Sequence, residues 1–144
     1  MGADLKTKTF TRWDDGETPW TTTNLATIGK GIVALLQPEN YSSTANKYIY
    51  INSYTITQNQ LLASLQKATG SEWTLKTVQS KDIVDKAHED IKNGNIADAI
   101  YPLIQASILG PVSYGDFRPS GFSNEAFGLP KEDLDEDVKN VLKA

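Results

Sequence analysis

Apolar residues at Leu25, Ile28, Ile32, Leu35 and Leu36 recur at the three-to-four spacing of one helical face, and Thr23 or Asn24 can cap the turn before them. This predicts a helix from Asn24 that stops before Pro38. The pattern then changes period. Residues Tyr48 to Ser53 read as a strand, followed by a turn and a helix capped by Thr57 that carries Leu61, Leu62, Leu65 and Ala68. Gly70 is placed to end that helix in a left-handed conformation. Trp73, Leu75 and Thr77 alternate with Thr74, Lys76 and Val78, as in a short half-exposed strand. A third helix opens at Ser80 or Asp82, gathers Ile83, Val84, Ala87 and Ile91 on one face and ends at Asn93-Gly94. A fourth, Ile96 to Leu109, is more apolar and is expected to lie deeper.

Both ends of the chain are less regular. Residues Thr7 to Thr11 are β-rich, and Asp15-Gly16 between Trp13 and Trp20 predicts a hairpin or a broad loop. Residues 110–128 form an aromatic loop with Tyr114, Phe117, Phe122 and Phe127. A last helix, about Lys131 to Lys143, carries Leu134, Val138, Val141 and Leu142. The 144 residues suffice for one domain: a strand or hairpin region at 6–23, a helix at 24–37, strand, helix, strand, helix and helix over 47–109, the loop, and a C-terminal helix at 129–144.

Charge and composition narrow the chemistry. The net charge is −4 and the lysines are scattered, so no basic patch predicts nucleic acid or an anionic membrane as a direct ligand. The longest apolar run, Ile32 to Leu36, is far below the roughly 20 residues of a spanning helix. Without cysteine there is no thiolate nucleophile, and His88 is the single histidine, so no metal site is expected. His88 sits beside Glu89 and Asp90 in a charged helix and reads as a surface residue. The start MGADLKTKTF has no apolar signal core, so the Asn40-Tyr41-Ser42 acceptor is expected to stay unglycosylated in a cytoplasmic or nuclear setting.

One motif invites a cofactor. Gly29, Gly31 and Ala34 have the G-x-G-x-x-A spacing of a dinucleotide fingerprint, which works only where the first glycine ends a buried strand. Here the apolar stripe runs through Ile28 and Ile32, which places both glycines inside a helix. Glycine there costs about 1 kcal/mol against alanine, so close packing of that helix on a sheet is the expected compensation. No phosphate-binding P-loop, no G-x-S-x-G elbow and no Tyr-x-x-x-Lys pair occurs, and the catalytic residues are unassigned.

The order of the words "DGETPWTTTNLATIGKGIVALL", "NKYIYINSYTITQNQLLASLQKATGSEWTLKTV" and "FGLPKEDLDEDVKNVLK" resembles the C-terminal half of NmrA-like, isoflavone-reductase-like proteins of fungal type, within the atypical short-chain dehydrogenases. The resemblance covers nearly the whole chain. It implies an α/β fold, α+β as an isolated piece: the C-terminal substrate-side part of a Rossmann-type NAD(P)-binding fold, lacking the N-terminal glycine-rich half. It also implies NADP(H) as cofactor, with the glycine loop and catalytic lysine in that other half, and Tyr48 to Ile51 as an edge strand of the sheet. Thr27 stands where the family word often has Asp, which implies a weaker polar role there.

As a substrate-side half, the chain is expected to be inactive alone. Trp13, Trp20, Tyr114, Phe117, Arg118 and Phe122 are the candidate lining of a pocket for a small hydrophobic or aromatic substrate, with Arg118 the cation able to grip an anionic group. The uncovered sheet edge implies self-association or a protein partner. Two other readings follow from the resemblance: a redox sensor that binds cofactor and a regulator without turnover, or a truncated gene product.

Overall fold

The chain is organised around strand β2 (Thr9–Trp13), in a computed structural model that describes residues 2–143. β1 (Ala3–Asp4) pairs with β2 antiparallel, Ala3 opposite Phe10. β5 (Thr74–Val78) pairs with it in parallel, from Thr9 opposite Thr74 to Trp13 opposite Val78. Parallel neighbours need a crossover. Here the crossover is long: β3 (Trp20–Thr22), α1 (Leu25–Leu35), α2 (Pro38–Thr44), β4 (Tyr54–Ile56) and α3 (Gln58–Thr69). β3 and β4 form a separate antiparallel ribbon, Trp20 opposite Ile56 and Thr22 opposite Tyr54. After β5 come α4 (Ser80–Lys92) and α5 (Ile96–Leu109), packed on each other, and α6 (Leu134–Val141), packed on α3. The fold is thus mixed α/β, as expected.

Phe10 and Trp13 are three positions apart on β2, so their side chains leave opposite faces of the strand. Phe10 joins Leu65, Trp73 and Val138 in one core cluster, while Trp13 joins Trp20, Ala106 and Leu109 in another. α3 and α6 cover the Phe10 side and α4 and α5 the Trp13 side, with Leu61 of α3 reaching both.

Local signals placed several elements well. Thr57 and Gln60 form a reciprocal capping box at the start of α3, and Gly70 ends it at φ 58°. α4 begins at Ser80, whose N–H donates to Asp14 Oδ1 at 2.9 Å, and Asn93 and Gly94 follow its last turn. His88 is exposed on it. Between Trp13 and Trp20 the chain forms a broad loop and no hairpin, because β2 and β3 belong to different sheets.

Other expectations are corrected. Tyr48 to Ser53 is not a strand; the paired residues are Tyr54–Ile56. The stretch before them is held by side chains and loop backbone instead. Asn52 N–H donates to Asn124 Oδ1 at 3.0 Å, Asn124 Nδ2 donates to the Asn52 carbonyl at 2.6 Å, and Ser123 N–H donates to the Tyr50 carbonyl at 2.8 Å. The stripe of α1 also faces the other way. Its buried residues are Thr27 and Gly31, whereas Leu25 is 86% exposed and Ile28, Ile32 and Val33 are exposed beside it. Gly31 lies against the end of the Ile51 side chain, a residue outside both sheets, which would have to shift to admit a Cβ there. α5 likewise leaves Ile96, Ile100, Tyr101 and Ile104 exposed and does not lie deep on that face. The last helix begins late, at Leu134, where Asp133 accepts from Glu136 N–H and caps it.

Candidate functional site

Strand alternation puts Trp20 and Thr22 of β3, with Tyr54 and Ile56 of β4, on one face of the ribbon. Thr21 and Thr55 meet on the opposite face, their hydroxyls 3.0 Å apart. Across from the first face lies α6, whose Leu134, Asp137, Val138 and Val141 follow helical spacing and share one side. Leu61 and Leu65 of α3 line the bottom. Together they bound a cleft of about 380 Å³ with mainly apolar walls.

One end of this cleft is polar. Tyr54 Oη donates to Asp137 Oδ2, and Asn24 Nδ2 donates to the same oxygen at 2.7 Å and to Glu132 Oε1 at 3.0 Å. The Asn24 N–H donates to Ser53 Oγ at 2.9 Å. Asn24 occupies the N-cap position of α1, where an asparagine side chain ordinarily caps the first turn. Its side chain does not cap, because both amide hydrogens hold carboxylates from the C-terminal segment. Thr27 is wholly buried with its hydroxyl turned to the Glu132 carboxylate. The position expected to have a weak polar role thus sits against a carboxylate.

The electrostatics of the end follow from these contacts. Burial, then the Asp137 hydrogen bond and its charge, push the Tyr54 phenol well above its ordinary value of 10.0. A phenol held protonated donates, and does not act as a base near neutrality. Burial pushes Glu132 up, but Ser53, Asn24 and Thr27 together with the Lys30 charge outweigh it and hold the carboxyl below its ordinary 4.5. Both shifts make stability depend on pH, with opposite signs. For Tyr54 the folded state binds the proton more tightly, so its contribution is whole below pH 10.0 and is lost as pH rises beyond that. For Glu132 the folded state binds the proton less tightly, so its contribution is present above pH 4.5 and is lost as pH falls further. Urea denaturation across pH should therefore show Tyr54→Phe losing less stability than the parent on the alkaline side. Equal alkaline losses would contradict the Tyr54 contact.

The residues expected to line one pocket are distributed. Trp20 borders the cleft, while Trp13 is buried in the core beyond it. Phe117 and Phe122 line a second, shallower concavity of about 450 Å³ with Ile28, Tyr50 and Ile51, where Phe117 stacks on Tyr50 at 5.7 Å between centroids. Tyr114 is 72% exposed outside both. Arg118 is engaged by its neighbour Asp116, Nε at 2.9 and 3.0 Å from the two carboxylate oxygens and Nη2 at 2.5 Å from one. The structure therefore joins Phe117 to Phe122, and sets Trp20 in one cleft with residues that sequence reasoning missed, Asn24, Tyr54 and Asp137, with Glu132 held by Asn24. The one local sign was Asp137, an acid within the apolar stripe of α6.

Among the described residues no group of three or more His, Cys, Asp or Glu is arranged to hold a metal ion. No helix of the described residues is long and apolar enough to cross a membrane. Gly29, Gly31 and Ala34 lie within α1, and Gly31 is closed off by Ile51, so these residues form no phosphate cradle.

The chain is similar to oxidoreductases over nearly its whole length. It is 30% identical to the oxidoreductase aprR of Aspergillus flavus over 148 aligned residues, covering 99% of this chain and 48% of that protein. It is 28% identical to the oxidoreductase poxI of Penicillium oxalicum over 149 aligned residues, covering 99% of this chain and 46% of that protein. The chain thus spans about half the length of the curated relatives it matches. No protein-family model matches it.

Proposed function

We propose that this chain is the substrate-binding half of an NAD(P)H-dependent reductase of the NmrA-like, isoflavone-reductase-like type, and that hydride transfer requires the half carrying the glycine loop. The observation that carries the reading is similarity across 99% of the chain to oxidoreductases of which it spans 48% and 46%. Its uncovered surfaces agree with it. Leu25, Ile32 and Val33 on α1, and Tyr48 at 92% exposure, form apolar surface of the kind a soluble fold covers. In this reading the remainder of the longer polypeptide covers α1 and pairs with the unladdered Tyr48–Ile51 stretch. The cofactor is held by that remainder, since the residues present here do not fit a dinucleotide. The 144 residues contribute a small hydrophobic or aromatic substrate's pocket.

Calorimetry with NADPH tests this. The isolated chain gives no saturable heat, whereas a chimera with this chain in place of the matching segment of the Aspergillus flavus protein binds NADPH with one site. Saturable binding to the isolated chain, or a folded chimera that does not bind, would overturn the reading.

A further inference from the structure

Helix α5 buries its small residues and bares its large ones. Ala99 and Ala106 are buried on the side that packs against α4 and the Trp13 cluster. Ile96, Ile100, Tyr101 and Ile104 are each at least half exposed. Ile96, Ile100 and Ile104 recur at every fourth position, so they form one ridge about 12 Å long, with Tyr101 flanking it. No charge interrupts this ridge. Asp98, the acid of the first turn, is rotated about 160° away from Ile100 by helical spacing. The ridge is also its own mirror along the helix axis. Set antiparallel about a twofold through Ile100, it places Ile96 against Ile104 of a second copy and Ile100 against its own equivalent, as an isologous contact requires. The same operation brings Asp98 level with Pro102, so like charges do not face each other.

We propose that the Ile96, Ile100 and Ile104 face of α5 is a homodimer interface, with two copies of this chain packed antiparallel about Ile100. The four side chains, with the exposed Ile91 at the end of α4 and the polar rim around them, offer on the order of 600 Å² per copy. A pair then buries about 1,200 Å², the lower end of specific interfaces, and association is in the micromolar range. This face is distinct from the one assigned above to the other half of the polypeptide. Gly31 of α1 lies against Ile51 and Leu129, α5 packs on α4, and the two helices do not pack on each other. The Tyr48–Ile51 stretch also calls for a backbone partner, whereas the α5 face offers side chains only. The inference goes beyond the reading of the chain as a substrate-side half and does not rest on it.

Sedimentation equilibrium of the 144-residue chain should show a monomer–dimer equilibrium. Ile100→Lys puts two ammonium groups at the twofold and should weaken the dimer about tenfold or more, whereas Val33→Lys, on the bare face of α1, should change it by less than about threefold. Ile100 faces solvent in the single chain, so the variant keeps its fold, which circular dichroism checks. The chain has no cysteine, so a single introduced one reports on geometry. With a short bismaleimide, Ile100→Cys should cross-link to its own equivalent and Val33→Cys should not. A chain that stays monomeric throughout the micromolar range, a dimer that Ile100→Lys leaves intact, or cross-linking at Val33→Cys alone would overturn the proposal. So would a monomeric chimera with the Aspergillus flavus half, because that half would then be what covers α5. The two readings fail separately: a monomeric chimera that binds NADPH removes this inference alone, and a dimeric chimera that cannot bind NADPH removes only the other.

Discussion

Phe10→Ala is expected to lower the unfolding free energy by about 3–5 kcal/mol, the range for truncating a buried phenylalanine. Phe10 has no exposed surface and touches the cluster of Leu65, Trp73 and Val138, so β2, α3 and α6 share its ring. Domains are typically stable by about 5–15 kcal/mol, so the loss removes a large fraction of the total. The surrounding helices cannot close the void completely, because each is also anchored to the strand or the ribbon. Phe10→Leu refills most of the space and should cost less. Urea denaturation followed by circular dichroism measures both. A loss below about 1 kcal/mol for the alanine variant would mean that α6 is not docked on β2.

Gln58→Leu is expected to be nearly as damaging, by about 2–4 kcal/mol, although it keeps the side chain's volume. One edge of β2 is paired along Thr9–Trp13 with β5. The other edge is covered by β1 opposite Thr9 and Phe10, then by the Gly2 carbonyl, which accepts from Thr11 N–H at 2.7 Å. Beyond that the edge would face no strand. The Gln58 side chain, 1% exposed, completes it: Trp13 N–H donates to its Oε1 at 2.8 Å, and its Nε2 donates to the Thr11 carbonyl at 3.2 Å. Leucine leaves a backbone donor and a backbone acceptor buried and unpaired. Gln58→Glu separates this from packing, since it keeps the acceptor for Trp13 but sets a carboxylate against the Thr11 carbonyl. Both variants should lower the urea midpoint. An unchanged midpoint for Gln58→Leu would show that this edge is open to water.

The two candidate concavities were only partly legible beforehand. Trp20 was readable as a pocket residue, yet its partners in the cleft come from β4, α3 and α6. Phe117 and Phe122 were readable as aromatic loop residues that cover something, and they do share a concavity with Tyr50. Arg118 was readable as a cation but not as a neutralised one, although Asp116 lies only two residues away. The polar end was not readable at all. Asn24 and Asp137 are 113 positions apart, and Tyr54 and Asp137 are 83 apart, so no window of the sequence contains the network.

What the sequence by itself determined are the features decided within one or two turns of chain. Thr57 with Gln60 and the left-handed Gly70 bound α3, the apolar spacing from Ile83 to Ile91 defines α4, and Ile28 and Ile32 keep the glycine fingerprint inside α1. In each case the groups that satisfy one another are three or four residues apart, so no distant partner is needed. The tertiary structure alone decided which face of α1 is covered, whether Tyr48 to Ser53 joins a ladder, and where Asn24 sends its amide. A helix carries its hydrogen bonds with it, but a strand becomes a strand only against another backbone, and an apolar stripe is buried only where a surface meets it. Here Thr27 and Gly31 met Glu132 and Ile51, and the stripe of leucine, isoleucine and valine was left outside.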